Sequence, residues 1–175
     1  DASVIELGVP FSDPVADGVT IQAAAERALK NPISVQAILN LVGEVRKEGC
    51  EMPIILFSYF NPILRFGLEN FAEEARKSGV DGILVTDLIP EEANEFHKIL
   101  TENELCLIML AAPTSSDERL KKICEKASGF VYAISRAGVT GAKTDLSAEA
   151  RSLVARIRKF TDLPVAVGFG VTNNE

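Results

Sequence analysis

Six short apolar runs, each followed by a longer amphipathic one, narrow the architecture open to this chain. The apolar runs are SVIELGV (3–9), PIILFSYF (53–60), GILVTD (82–87), LCLIMLAA (105–112), GFVYAIS (129–135) and PVAVGFG (164–170). They are almost continuously apolar, the mark of strands covered on both faces. The intervening segments carry helical spacing. ISVQAILNLVGEVRKEG (33–49) places Ile38, Val42 and Val45 on one stripe, with Ser34 as N-cap and Gly49 as its end. LENFAEEARKSG (68–79) does the same with Phe71, Ala72 and Ala75. TIQAAAERALK, EEANEFHKILTEN, SDERLKKICEKA and SAEARSLVARIRKF complete the set.

Strands alternating with helices imply a parallel sheet with the helices outside it. Two designs satisfy that order, a doubly wound sheet and a (β/α)8 TIM barrel. The glycine fingerprint GxGxxG expected after the first strand of many doubly wound folds is absent. Small or polar residues recur beyond the strand ends, at Gly8, Asn61, Asp87, Thr114, Ser135 and Gly168. A barrel builds its site on that rim. A whole barrel takes about 250 residues and eight strands. The expectation is therefore a single partial barrel domain over residues 1–175, of about six βα units. The first βα unit and the last strand and helix would be missing from it.

With 47% hydrophobic and 25% charged residues, the chain is globular rather than disordered. A net charge of −7 with scattered Lys and Arg argues against nucleic acid and anionic membrane as partners. No apolar run approaches the roughly 20 residues that span a bilayer. Three cysteines, with no CxxC, favour free thiols in a cytoplasmic setting. One histidine and three spaced cysteines assemble no convincing metal site.

Chemistry concentrates in VIELGVPFSDPVADGVTIQ (4–22). Alternation puts Val4, Glu6 and Gly8 on one face of the first strand and Ile5, Leu7 and Val9 on the other, the helix-packing one. Glu6 would point into the barrel near its mouth, where burial raises the pKa of a carboxyl. It is either an acid/base catalyst or a structural glutamate satisfied by hydrogen bonds. Asp17 lies in a loop fixed by Pro10 and Pro14 and freed at Gly18. It is either a turn-former or N-cap, or a second carboxylate dividing acid and base roles with Glu6. No predicted strand contains the lysine of a Schiff-base aldolase. The only histidine, His97, falls in a polar helix and is expected on the surface. ISRAGVTGAKTD (134–145) reads as a mobile lid or an ordinary loop, and VGFG (167–170) as a weak phosphate-binding signal.

ELGVPFSDPVADG with TIQ, then SYFNPI (58–63), LVTDLIPEE (84–92), SRAGVTG (135–141) and GFGV (168–171), occur in an order that resembles the tryptophan synthase α-subunit family. The resemblance implies a barrel that cleaves indole-3-glycerol phosphate to indole and glyceraldehyde 3-phosphate, with Glu6 as acid/base and Asp17 at the indole N–H. It implies that Tyr132 lies beside the substrate and that Thr140 meets Asp17 on closure. Ile21, Phe57, Leu84 and Phe169 would wall the indole pocket. Gly141 and Gly170 would offer backbone donors to the phosphate. Asp13, Pro14, Asn61 and Pro62 would lie in loops facing a β subunit, in an α2β2 assembly. No cofactor is expected on this chain, pyridoxal phosphate belonging to the β partner. The location would be cytoplasmic, or plastid stroma in a plant. A regulatory subunit with little lyase activity, a standalone indole-releasing lyase and another phosphate-binding barrel enzyme are the rivals. One departure stands out: Val19 occupies the position where the family usually has proline.

Overall fold

The computed structural model describes residues 2–134 and 148–168. The elements run β1 (Ile5–Gly8), α1 (Val19–Ala28), α2 (Val35–Lys47), β2 (Ile54–Ser58), α3 (Phe60–Phe66), α4 (Leu68–Ser78), β3 (Gly82–Val85), α5 (Asn94–Glu102), β4 (Cys106–Ala111), α6 (Asp117–Lys126), β5 (Val131–Ile134), α7 (Ala148–Ile157) and β6 (Val165–Gly168). Two compact units emerge, Asp1–Leu107 and Ile108–Glu175.

In the first unit β1, β2 and β3 pair in parallel and in chain order. A doubly wound sheet reverses its order at a switch point; successive strands of a barrel stay neighbours, as these do. The register aligns Glu6 with Ile55 and Ile55 with Gly82, and Gly8 with Phe57 and Phe57 with Leu84. Glu6, Gly8, Phe57 and Leu84 therefore share one face of the sheet. On the opposite face Ile54, Leu56, Ile83 and Val85 are buried. The helices contribute Ile38, Leu39 and Val42 from α2 and Phe71, Ala72 and Ala75 from α4 to the same core. Each fully buried large side chain is worth about 1.5–3 kcal/mol. Phe71 joins Phe66 and Phe96 at ring separations of 6.3 Å, and Phe96 meets Phe60 edge-on at 5.7 Å.

Caps fall where the sequence places them. Ser34 Oγ accepts from Ala37 N at 3.2 Å, and Gly79 closes α4 in the left-handed conformation at φ 86°. Beside Gly79, the Arg46 guanidinium gathers the N-terminal ends of β2 and β3. Its Nε donates to Gly79 O at 2.9 Å, and one terminal nitrogen donates to Cys50 O and Met52 O, both at 2.7 Å. The other reaches Asp81 Oδ2 at 2.6 Å, and that oxygen also accepts from Ile54 N at 2.7 Å.

The structure corrects three expectations. The strand expected over 53–60 stops at Ser58, and Phe60 already begins α3. Asn61 and Pro62 thus lie in a short helix rather than a loop. Proline is tolerated there because the N–H groups of a first turn lack helical partners anyway. β1 is not a buried strand: Val4 and Ile5 are 37% and 36% exposed, and Glu6 is exposed as well. Among the described residues β1 is paired only with β2, which leaves its other edge open. His97 is half-buried in α5 rather than fully on the surface.

In the second unit β4 pairs with β5 and β5 with β6, again parallel and in chain order. Ser116 caps α6 by accepting from Arg119 N at 3.2 Å. Arg156 of α7 binds Asp117 Oδ1 at 2.7 Å and donates to Pro113 O at 3.2 Å and to Ser115 O. The β4–α6 loop is thereby tied to α7. Tyr132 and Gly168 sit on neighbouring strands, and the tyrosine ring and hydroxyl occupy the space where a Cβ on Gly168 would be.

Candidate active site

At the C-terminal end of β1 the chain turns through Pro10 and Pro14 into α1. Asp17 N donates to Pro14 O at 3.0 Å, and Gln22 Nε2 donates to Asp17 O at 2.8 Å. Gly18, not Asp17, is the N-cap of α1, with no side-chain cap bond. The Asp17 carboxylate is thus left available, and it turns to the Tyr59 hydroxyl. Val19 is the first residue of α1 and 78% exposed.

This turn, α1 and the ends of β1 and β2 enclose a cavity of about 330 Å³. Gly8, Val9, Pro10, Phe11, Ile21 and Phe57 line it with Asp17, Tyr59 and the alanines 24, 25 and 28 of α1. α1 buries no residue fully, so its alanine stripe faces this space rather than a packed neighbour. Asp17 is the one charged side chain in the lining. Burial raises its pKa and the hydrogen bond from Tyr59 opposes that rise. Such a wall suits an apolar ligand with a hydrogen-bond donor for the carboxylate to accept.

Glu6 lies one step back along the same face of β1 as Gly8. Partial desolvation pushes its carboxyl above the usual glutamate range, even though the side chain is exposed. A carboxyl tuned upward is the type of group that both gives and takes a proton near neutrality.

The site residues expected from sequence divide as follows. Asp17, Ile21 and Phe57 meet in the one cavity. Leu84 belongs to the same face but is fully buried in β3, outside the lining. Tyr132 is half-buried in the second unit. Thr140, Gly141, Phe169 and Gly170 lie outside the described residues. Asp13 is exposed and Pro14 half-buried; with Phe11, Gln22, Glu26 and Leu29 they border a second cavity of about 310 Å³. Asn61 is exposed and Pro62 half-buried on α3.

Tyr59 is the residue that sequence reasoning passed over. It is 3% exposed and its ring lies 5.4 Å from that of Phe11. Its hydroxyl accepts from Ala16 N at 2.9 Å, and it lines the same cavity as Asp17. Burial, together with the charges of Asp17 and Asp87, pushes the phenol up to about 12. A tyrosine inside an apolar run gave little sign of this. The signal was the Asn-Pro that follows, which marks the strand as already over.

The tryptophan synthase alpha chain family matches residues 1–175. The tryptophan synthase alpha chain of Caulobacter sp. is 50% identical over 170 residues, 97% of this chain and 62% of its own length. That of Geobacter sulfurreducens is 49% identical over 171 residues, 98% of this chain and 64% of its own. Among solved structures, one of the tryptophan synthase α2β2 complex from Pyrococcus furiosus superposes with a TM-score of 0.88 at 45% identity. That match covers 97% of this chain and 68% of the other. The chain spans just under two thirds of the length of the two curated relatives.

Proposed function

The chain belongs to the tryptophan synthase alpha chain family, and from that premise we propose that it serves a carbon–carbon lyase of tryptophan biosynthesis. The reaction is the retro-aldol cleavage of indole-3-glycerol phosphate to indole and glyceraldehyde 3-phosphate. The observation that carries this reading is the apolar cavity whose one charged wall residue is Asp17. It has room for an indole ring and an acceptor for the ring N–H.

The residues divide the work by their surroundings. Glu6, with its raised pKa, delivers a proton to C3 of the ring. Positive charge then develops at N1, where the Asp17 carboxylate stabilises it. Glu6, now ionised, takes the proton of the glycerol hydroxyl. The C–C bond breaks, its electron pair restores the aromatic ring, and the hydroxyl carbon becomes the aldehyde. The proton count closes on Glu6, and the ring is the electron sink, so this route requires no cofactor on this chain. Phe57 and Ile21, both in the cavity lining, pack against the ring. The roles that the family resemblance implies for Leu84, Tyr132, Thr140, Gly141, Phe169 and Gly170 belong to the same proposal.

The partner in this reading is a β subunit that carries pyridoxal phosphate. It docks on the side of Asp13, Pro14, Asn61 and Pro62 to form an α2β2 assembly. The setting in this reading is cytoplasmic, or the plastid stroma in a plant. The test is indole release from indole-3-glycerol phosphate by the protein at its natural length, with and without a β subunit. Glu6→Gln and Asp17→Asn should each lower it by orders of magnitude with an unchanged circular dichroism spectrum. Near-normal turnover in either variant would sink the assignment of roles.

A further inference from the structure

We infer that Tyr59 is a positioning residue for Asp17, its hydroxyl clamping the Ala16–Asp17 turn so that the carboxylate faces the cavity. The inference deepens the lyase reading and rests on it for its kinetic arm only. The hydroxyl has one proton to give and lone pairs to receive. It receives the Ala16 N–H at 2.9 Å, which leaves its own proton free to turn toward the neighbouring Asp17 carboxylate. The turn backbone next to Asp17 is thereby fixed by this one atom. The turn has few other long-range ties: Asp17 N bonds only three residues back, to Pro14 O.

Tyr59 can act as a fixed post because its own backbone is held from the far side. Ser58 O accepts from Thr86 N at 2.9 Å and from Thr86 Oγ1 at 3.2 Å. Ser58 Oγ donates to Tyr59 O at 2.9 Å, and Phe60 N donates to Asp87 Oδ1 at 2.7 Å. The residues just beyond β3 thus anchor the start of α3, and the tyrosine side chain carries that anchorage to the loop after β1. At 3% exposure, with Phe11 against its ring, it has little room to swing. The titratable groups around this pair are Asp17, Tyr59 and Asp87, with Glu6 on neighbouring β1. The rest of the lining is uncharged.

The sign of the effect follows from the donor. A phenol proton on Asp17 favours the ionised carboxylate, so removing the hydroxyl raises the carboxyl further. The experiment is Tyr59→Phe in the protein at its natural length, read two ways. In a carbon-13 carboxyl titration, Asp17 should protonate at higher pH than in the wild type. In kinetics, kcat/KM should fall about 10- to 100-fold and its acid limb should move to higher pH. Tyr59→Phe added to Asp17→Asn should cost little more than Asp17→Asn alone. An Asp17 titration unmoved by Tyr59→Phe overturns the inference, even if turnover falls, because loss of packing alone produces that. Should Tyr59→Phe fail to fold, Asp17→Asn supplies the reciprocal test. The ring-labelled Tyr59 should then titrate at lower pH than in the wild type, and an unmoved phenol overturns the inference. If the wild type releases no indole, the lyase reading falls, while the Asp17 titration still decides the role of Tyr59.

Discussion

The two ends of the β1–β3 sheet treat a carboxylate in opposite ways. At the N-terminal end of β2 and β3, Asp81 meets a guanidinium and a backbone N–H, and Arg46 spends its remaining donors on three carbonyls. At the C-terminal mouth Glu6 and Asp17 are partly desolvated without a cation in the cavity lining, and among the described residues Asp17 has a phenol as its neighbour. One end satisfies its charges and holds strands together. The other gives them no cation among the described residues, and a carboxyl not held ionised is what proton transfer needs. In parallel α/β barrels stability residues gather at the N-terminal face and reacting ones at the C-terminal face. Here that division is legible within three strands.

Substitutions at either end break the comparison if they produce the other end's effect. The largest change should come from the mouth. Asp17→Asn lowers indole release by about 10²-fold or more. It should not lower stability at neutral pH. The folded-state carboxyl has a raised pKa, so the charged form opposes folding as pH rises through that value, and a neutral amide removes the cost. A urea melt at pH 7 checks this, and a lower midpoint would contradict it.

The clamp end should respond in the reverse sense. Arg46→Ala removes four hydrogen bonds at a side chain that is 21% exposed. We expect a loss of about 2–3 kcal/mol, with kcat per folded molecule unchanged. The ion pair alone adds little of that, because Asp81 is 48% exposed. Gly79→Ala is a milder blow to the same clamp. A Cβ there comes within 2.9 Å of Arg46 Cγ on a backbone at φ 86°. The expected cost is about 1–2 kcal/mol, measured by the same melt.

The smallest effect concerns Val19. It is the first residue of α1, and Gly18 before it is extended at φ −76° and ψ 164°. That backbone suits a proline at 19, whose missing N–H falls on a position without a helical partner. Val19→Pro should stabilise by about 0.4–1 kcal/mol and leave KM within twofold. A destabilised variant would show that the turn holding Asp17 needs the freedom that valine gives it.

Much of this was legible in the residues. The α2 and α4 stripes, the caps at Ser34 and Gly79 and the face shared by Glu6 and Gly8 follow from period and local chemistry, which act over a few residues. What escaped depends on contacts distant in sequence. The end of β2 is set by Thr86 and Asp87, 28 and 27 residues from Ser58 and Phe60, and no pattern inside PIILFSYF reports them. The role of Tyr59 escaped likewise, because its partner Ala16 lies 43 residues away. The exposure of β1 was hidden because apolar content marks a strand's preference for cover and not whether a neighbour supplies it.

The tyrosine packed onto Gly168 has a consequence for how this chain can change. Since ring and hydroxyl fill the only direction a side chain could take, no single substitution at 168 is free while tyrosine stands at 132. Trimming 132 to phenylalanine does not open the space, because ring carbons block it too. The two positions are inherited as one: a bulkier residue at 168 becomes admissible only in lineages where 132 has already become small, and the path between them is ordered. A pairwise substitution library should show that order as positive epistasis, with survivors at 168 confined to backgrounds in which the aromatic ring is gone.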